Sequence, residues 1–188
     1  MKIGIIAEDE SDVAVIREIT LSLLRPRKIG FKRRVGHGSG KICRKCAAWA
    51  EGLVRSGCPW IAVIHDLDEY DEEELRSRLE QSLKTVKTRT SVVLIPKKEI
   101  EAWLLFDDQA IAWAFNEQAI PRLPGNPESL SDPKKFLAQL VWKNYKKHYV
   151  NTIHNAMIAH AIRPFKLRGC MSFKPHPSFV SKVQDELR

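Results

Sequence analysis

Short apolar runs alternate with helical patterns in the first half of the chain, and this alternation restricts the fold more than any other feature. The runs have the length and composition of buried strands. They are residues 2–8, 29–36, 60–65 and 91–96. Between them, apolar residues recur at helical spacing over residues 11–24, 41–55 and 72–85. Strict strand–helix alternation predicts an α/β fold, with a parallel sheet flanked by helices.

The pattern changes after Pro96, where no further strand is predicted. Helical periodicity predicts helices over residues 99–115, 133–143, 148–162 and 176–187. We therefore divide the 188 residues into an α/β core, residues 1–96, and a helical extension, residues 97–188, packed on it as one structural unit.

The sequence also favours a cytoplasmic setting. No apolar stretch reaches membrane-spanning length, and the N-terminus turns acidic too early for a secretory signal. The four cysteines fit a reducing compartment. Cys43 and Cys46 could be half of a zinc site, a redox pair or two residues of one helix face, and no second close pair completes a zinc site.

Acidic residues follow three of the predicted strands. Glu8 ends the first strand, Asp66 and Asp68 follow the third, and Glu99 and Glu101 lie shortly after the fourth. If the first and third strands are neighbours, their acids converge at the carboxyl edge of the sheet, where open α/β sheets bind ligands. Such a cluster would repel itself without a cation, and Mg²⁺ prefers carboxylates and phosphate oxygens. The pattern predicts metal-assisted phosphoryl chemistry, whereas residues 72–74 fit a solvated helix start.

These stretches also carry a family resemblance. Residues 5–12, IIAEDESD, resemble the first motif of Toprim domains, and residues 61–68, IAVIHDLD, resemble the second. Asp9 stands where that first motif usually has glycine. EIEAWLL at 99–105, DPKKFL at 132–137, Gly40-Lys41 and the C-terminal SFVSKVQDEL resemble an uncharacterised Toprim-like family, domain-of-unknown-function family 4276, and the Toprim nucleases of OLD-type proteins.

The resemblance implies a Toprim/Rossmann-like sheet, a Mg²⁺ or Mn²⁺ cofactor and phosphodiester hydrolysis of DNA or RNA. It implies Glu8 as a general acid/base or metal-linked carboxylate and Asp66 and Asp68 as metal ligands. Asp12 and Glu101 would be supporting or second-metal carboxylates, and Lys41 and Lys134 would lie near the phosphate. Members of the resembled family are often encoded beside an SMC-like or ABC-like ATPase in phage defence. The alternative is a catalytically degenerate interaction module of such an ATPase complex.

Basic residues favour a polyanionic partner. The net charge is +8, and residues 25–45 hold nine Lys or Arg and no acid. Lysine and arginine contacts to phosphates give affinity without sequence readout. The predicted nucleic-acid-binding residues are Lys32, Arg33, Arg34, Lys41, Arg44 and Lys45.

Other chemistries fit less well. The loop at residues 36–41 lacks the first glycine and the Ser or Thr of a Walker motif, so ATP hydrolysis is excluded. Its glycines could still bring backbone amides to a phosphate. The six histidines form no metal motif, and strand alternation predicts that His65 points away from Asp66. The chain is too short for the additional domains of a primase or topoisomerase.

Overall fold

The computed structural model describes residues 1–24, 29–36 and 38–187, and it contains one four-stranded parallel sheet. The strands are β1 (Lys2–Ala7), β2 (Gly30–Val35), β3 (Trp60–Ile64) and β4 (Thr90–Leu94), in the order β2-β1-β3-β4. The predicted α/β class is confirmed, and β1 and β3 are neighbours as the convergence of their acids requires.

The first three helices alternate with the strands, and the remaining helices follow β4. They are α1 (Glu10–Leu23), α2 (Ser39–Arg55), α3 (Glu72–Lys84), α4 (Glu101–Leu104), α5 (Asp108–Ala114), α6 (Pro133–Tyr145), α7 (Asn151–Ala161) and α8 (Pro175–Glu186). Two 3₁₀ segments, Pro127–Ser129 and Pro164–Gly169, connect the later helices. None of the helices in the described residues has the length and apolar character needed to cross a bilayer.

One predicted helix, residues 99–115, is in fact two short helices. α4 and α5 are separated at Asp107, which is the N-cap of α5 and accepts a hydrogen bond from the Ala110 N–H at 3.3 Å. The Asp107 carboxylate also binds Arg163, which lies 56 residues later. The break thus coincides with a local N-cap and a long-range ion pair, and helical periodicity does not reveal the second.

The sheet separates two hydrophobic clusters, because successive strand residues point to opposite faces. Ile5 and Ile64 belong to the cluster that packs against α1 and the helices after β4. Ile6 and Val63 belong to the cluster that packs against α2 and α3. Residues from both halves of the chain thus contribute to one core on the α1 side of the sheet.

The strand register brings the segments after β1, β3 and β4 side by side. Ile6 pairs with Val63, and Ile64 pairs with Leu94. The ladder continues beyond the strands, since the Leu67 N–H donates to the Pro96 carbonyl at 3.0 Å. The acids that follow these strands are consequently placed at one edge of the sheet.

Candidate functional site

Four carboxyl groups interact electrostatically at the carboxyl edge of the sheet: Glu8, Asp12, Asp66 and Glu101. Burial raises the pKa of Asp66 well above its ordinary range, and the charges of Asp12, Glu8 and Glu101 raise it further. Burial, Asp9, Glu101 and Glu8 raise the pKa of Asp12 to about 8. Predicted site residues from three separate parts of the sequence are therefore close enough to influence each other's protonation.

Asp12 is positioned by the first turn of α1. Its Oδ2 accepts a hydrogen bond from the Asp9 N–H at 3.1 Å, and Asp9 Oδ1 accepts from the Ser11 and Asp12 N–H groups at 2.7 and 3.2 Å. This reciprocal arrangement is a capping box. Asp9 has φ −139°, an extended conformation, so aspartate at this position needs none of the backbone freedom of glycine.

Glu101 is held by side chains from the second half of the chain. It is 2% exposed, and its Oε1 accepts hydrogen bonds from the Tyr149 hydroxyl at 2.9 Å and from Asn155 Nδ2 at 3.1 Å. Lys134 Nζ lies 3.9 Å from the same oxygen. Burial and the neighbouring Glu101 raise the pKa of Tyr149, which keeps the hydroxyl protonated as a donor. Sequence reasoning missed Tyr149 and Asn155 because nothing local marks them.

His65 also belongs to the site, which the sequence did not predict. Its buried Nδ1 lies 2.7 Å from the Asp66 carbonyl oxygen and 3.0 Å from Glu8 Oε1. A carbonyl oxygen only accepts, so this contact places the proton on Nδ1 and directs it at Asp66. Nε2 lies 3.7 Å from Cys43 Sγ. The ring thus lies between the Glu8 carboxylate and α2.

Two buried oxygens at this edge accept no hydrogen bond within the described residues: Asp66 Oδ1, and Glu8 Oε1, which nevertheless lies 3.0 Å from His65 Nδ1. Buried carboxylate oxygens are normally paired with donors, so oxygens left without one suit a hard cation. In the part of the chain that the structure describes, however, no three His, Cys, Asp or Glu side chains form a ready ligand group. The donor chemistry fits Mg²⁺, which keeps several waters and often uses only one or two carboxylates.

The remaining predicted acids lie at the rim. Asp68 is exposed with φ 45°, and burial and the Glu8 charge raise its pKa. Glu99 Oε2 accepts the Lys134 N–H at 3.0 Å, which fixes the start of α6 against the segment before α4. Both acids therefore border the four central carboxyl groups.

Of the two predicted catalytic lysines, the structure brings only Lys134 to the acids. Burial would lower its pKa, but Glu101, Glu99, Asp9 and Asp66 raise it overall. Lys41 is exposed in the first turn of α2. No ion pair or side-chain hydrogen bond of Lys41 is present among the described residues. Its loop nevertheless adjoins the site, because the Gly36 N–H donates to the Ala7 carbonyl at 2.9 Å.

The predicted nucleic-acid-binding residues lie on β2 and α2. Lys32, Arg33 and Arg34 are exposed on the edge strand, and Arg44 and Lys45 are exposed on α2. Three further cations of the basic stretch, Arg25, Arg27 and Lys28, lie outside the described residues.

The cysteine pair behaves as part of a helix. Cys43 and Cys46 are both free, on α2, and burial raises the pKa of Cys46 to about 12. A thiol that is buried and protonated at neutral pH is a poor metal ligand. The structure thus favours the third of the alternatives, two residues of one helix face.

Comparison of the sequence with known protein families assigns the chain to one of them. A family model described as "Domain of unknown function (DUF4276)" matches residues 8–176. The chain belongs to this family. The match begins at Glu8 and includes every acid of the site. No curated protein and no solved structure matches the chain. The DUF4276 description names no activity and makes no connection with Toprim or OLD-type nucleases, so that part of the resemblance stays a prediction.

Proposed function

We propose that this DUF4276 protein is a divalent-metal-dependent nuclease of Toprim type, which hydrolyses phosphodiester bonds in DNA or RNA. One observation carries the proposal: buried and half-buried carboxyl groups influence one another at the carboxyl edge of a parallel sheet, and Asp66 Oδ1 is buried there without a hydrogen bond from any described residue. Such a group is costly to maintain unless a cation compensates it. The basic surface on β2 and α2 supports a polyanionic substrate.

Each acid of the site has a separate role in this proposal. Asp66 and Asp68 would hold Mg²⁺ or Mn²⁺, with Asp12 and Glu101 as supporting carboxylates. A bound cation of this kind polarises a phosphate oxygen and lowers the pKa of a bound water. Glu8 takes the proton of the attacking water or gives one to the leaving oxygen.

The neighbours of these acids keep them in place. Tyr149 and Asn155 fix Glu101 through their hydrogen bonds, and His65 lies against Glu8. Lys134, beside Glu101, would stabilise the negative charge that develops on the phosphate. Lys41 would contact a phosphate further along the substrate, from the first turn of α2, which follows the Gly36 segment beside Ala7.

The proposal is tested by cleavage of supercoiled plasmid and of tRNA in Mg²⁺ and in Mn²⁺. We expect divalent-dependent cleavage that falls by about 10²- to 10⁴-fold in Glu8→Gln, the usual contribution of a general acid or base. Asp66→Asn should be similarly impaired. Glu73→Gln is the matched control, because Glu73 is an exposed acid of the nearby run. Cleavage that persists in Glu8→Gln and Asp66→Asn contradicts the proposal.

One observation favours a second function, an interaction module of an SMC-like or ABC-like ATPase complex in phage defence. No three donor side chains of the described residues are gathered to hold a metal. A protein of this kind would bind its ATPase partner through the same domain without cleaving nucleic acid. Absence of Mn²⁺ binding at millimolar concentration would favour this function over the nuclease.

A cytoplasmic location belongs to either proposal. All four cysteines are free, and three of them are buried. Free cysteines are typical of a reducing compartment. Nucleic acid and a partner ATPase would both be encountered there.

A further inference from the structure

A basic groove runs beside β2, the edge strand next to β1. It lies between β2 and α2, has a volume of about 830 Å³ and is lined in part by Lys32, Arg34, Trp49 and Arg55. The Arg34 guanidinium reaches across to α2, where a Cβ added to Gly52 would lie 3.8 Å from it. The groove is therefore open and mainly cationic, and its lining also includes one acid, Glu10, and two aromatic side chains, Phe31 and Trp49.

Two of these cations form no ion pair with an acid of the described residues. Within the described residues, the side chains of Lys32 and Arg34 make no ion pair and no hydrogen bond, and both residues are exposed. Their neighbour Arg33 differs, because its Nε lies 2.6 Å from Glu10 Oε2. Lys32 and Arg34 are two residues apart on a strand, so they point to the same face of the sheet.

Trp49 places an aromatic ring in the groove, which a basic surface that only contacts solvent would not require. The indole is half-buried, packs against the hydrophobic cluster on the α2 side and also lines the groove. A cationic groove with an aromatic side chain is typical of single-strand binding, since every base offers a face for stacking. A duplex keeps those faces covered.

We propose that the groove between β2 and α2 binds single-stranded nucleic acid, with the backbone along Lys32 and Arg34 and a base stacked on Trp49. The ligand class rests on the proposed nuclease function and narrows its substrate to unpaired strands. The alternative is that the charges only protect an edge strand from pairing with other sheets.

The direction of β2 connects this groove with the carboxylate site. The strand runs toward the carboxyl edge, where Gly36 hydrogen-bonds to Ala7, the residue before Glu8. Gly36 comes four residues after Lys32, a span of about 13 Å at the usual rise of a strand. A nucleic acid strand that follows β2 is thus led toward Glu8.

The test is the anisotropy of a labelled oligonucleotide of about twelve nucleotides, alone or annealed to its complement, in EDTA so that no cleavage occurs. We expect the single strand to bind at least about tenfold more tightly than the duplex. Trp49→Leu should weaken single-strand binding by about 5- to 150-fold, the effect of losing one stacked base, whereas Trp49→Phe should retain most of it. Both variants fill most of the volume of the indole, and far-UV circular dichroism checks their folding.

Salt dependence tests the two cations separately. Lys32→Gln and Arg34→Gln should each reduce the slope of log affinity against log salt by about 0.7, the value for one phosphate contact on a single strand. Lys182→Gln is the matched control, because Lys182 is exposed on α8, which packs near β4 at the other edge of the sheet. Its slope should equal that of the wild type.

Several results would overturn the inference: equal or tighter binding of the duplex, wild-type affinity in Trp49→Leu, an unchanged slope in both cation variants, or no binding at all. These results are distinguishable from failure of the nuclease proposal. Single-strand binding without any divalent-dependent cleavage removes the nuclease proposal and leaves the groove as a binding site. Cleavage without groove-dependent binding removes only the inference about the groove.

Discussion

Asp107 and Asp12 are both buried carboxylates, at 0% and 4% exposure, yet their surroundings are opposite. Burial would raise the pKa of Asp107, but hydrogen bonds from Arg163 lower it overall. The Arg163 Nε and the Arg163 backbone N–H lie 2.8 and 3.0 Å from Asp107 Oδ2. Asp12 faces Asp9, Glu101 and Glu8 instead, and its pKa rises to about 8.

The difference separates a structural acid from a candidate functional one. Asp107 is fully paired and joins α5 to the segment after α7, so its burial is explained by packing. Asp12 caps α1 with one oxygen, but no cation of the described residues forms an ion pair with it. Burial alone therefore does not distinguish a structural acid from a functional one. The sign of the charge beside each acid distinguishes them.

The largest effect is expected from breaking the Asp107–Arg163 pair. Arg163→Ala leaves a buried carboxylate without its cation, and this typically costs about 3–5 kcal/mol of unfolding free energy. Urea denaturation at neutral pH measures it. Arg168→Ala is the control, since Arg168 is exposed on the 3₁₀ segment that begins directly after Arg163. It should change stability by no more than about 0.5 kcal/mol. A loss below about 1 kcal/mol in Arg163→Ala would mean that Asp107 is not held by this pair.

Binding of a divalent cation should have the next largest effect on stability. The cation would compensate the charges of Glu8, Asp12, Asp66 and Glu101, as Arg163 compensates that of Asp107. Mn²⁺ at about 100 times its dissociation constant should stabilise the folded state by about 2.7 kcal/mol. Thermal melts with Mn²⁺ and with EDTA measure this shift. Asp66→Asn should lose it, and Glu73→Gln should retain it. A wild-type protein that shows no shift in millimolar Mn²⁺ would favour the interaction-module function.

Titration of Asp12 should give a smaller, pH-dependent effect. Its folded pKa of about 8 lies above the ordinary 3.8, so it favours the folded state below about pH 4 and loses this contribution as pH rises toward 8. Asp107 has the opposite sign, and its contribution is lost only as pH falls below 3.8. Asp12→Asn should therefore be more stable than the wild type at pH 8 in EDTA, by on the order of 1 kcal/mol.

Urea denaturation at several pH values between 4 and 8 checks this expectation. The advantage of Asp12→Asn should grow with pH, because the variant has no carboxyl group to ionise beside Glu101 and Glu8. The opposite trend, with an advantage that shrinks as pH rises, would show that Asp12 is compensated in the folded state.

The sheet and the ends of its strands were predictable from local pattern. Glu8 and Asp66 were found because each follows an uninterrupted apolar run, and the pairing of Ile6 with Val63 then brings them to one edge. The partners of Glu101 were not predictable. Tyr149 and Asn155 reach it only through packing of α7 and the segment before it, from 48 and 54 residues away.

The site role of His65 escaped prediction for a different reason. The sequence gives a histidine beside Asp66 no particular partner, and strand alternation only predicts that the two side chains diverge. In the structure His65 contacts Glu8 and Cys43, which come from β1's end and from α2. Elements that are close to His65 in space but distant in the sequence supply these contacts.

The smallest effect is expected for Glu72, an acid of the run that follows Asp68. Hydrogen bonds from Lys97 and Arg76 outweigh partial burial and lower its pKa, so its contribution to stability is present above the ordinary 4.5 and is lost as pH falls. Arg76 Nη2 lies 3.2 Å from Glu72 Oε1, and both side chains are partly exposed. Glu72→Gln should therefore cost only about 0.2–1 kcal/mol at neutral pH, and less in high salt.

The same variant tests the difference between Glu72 and Asp12. Glu72 is already paired with Lys97 and Arg76, so it needs no metal ion to compensate its charge. Glu72→Gln should keep the full stabilisation by Mn²⁺, measured by the same thermal melts. If Glu72→Gln lost this response, Glu72 would belong to the metal site. An acid that is paired with cations would then also take part in metal binding, and pairing would no longer distinguish structural acids from functional ones.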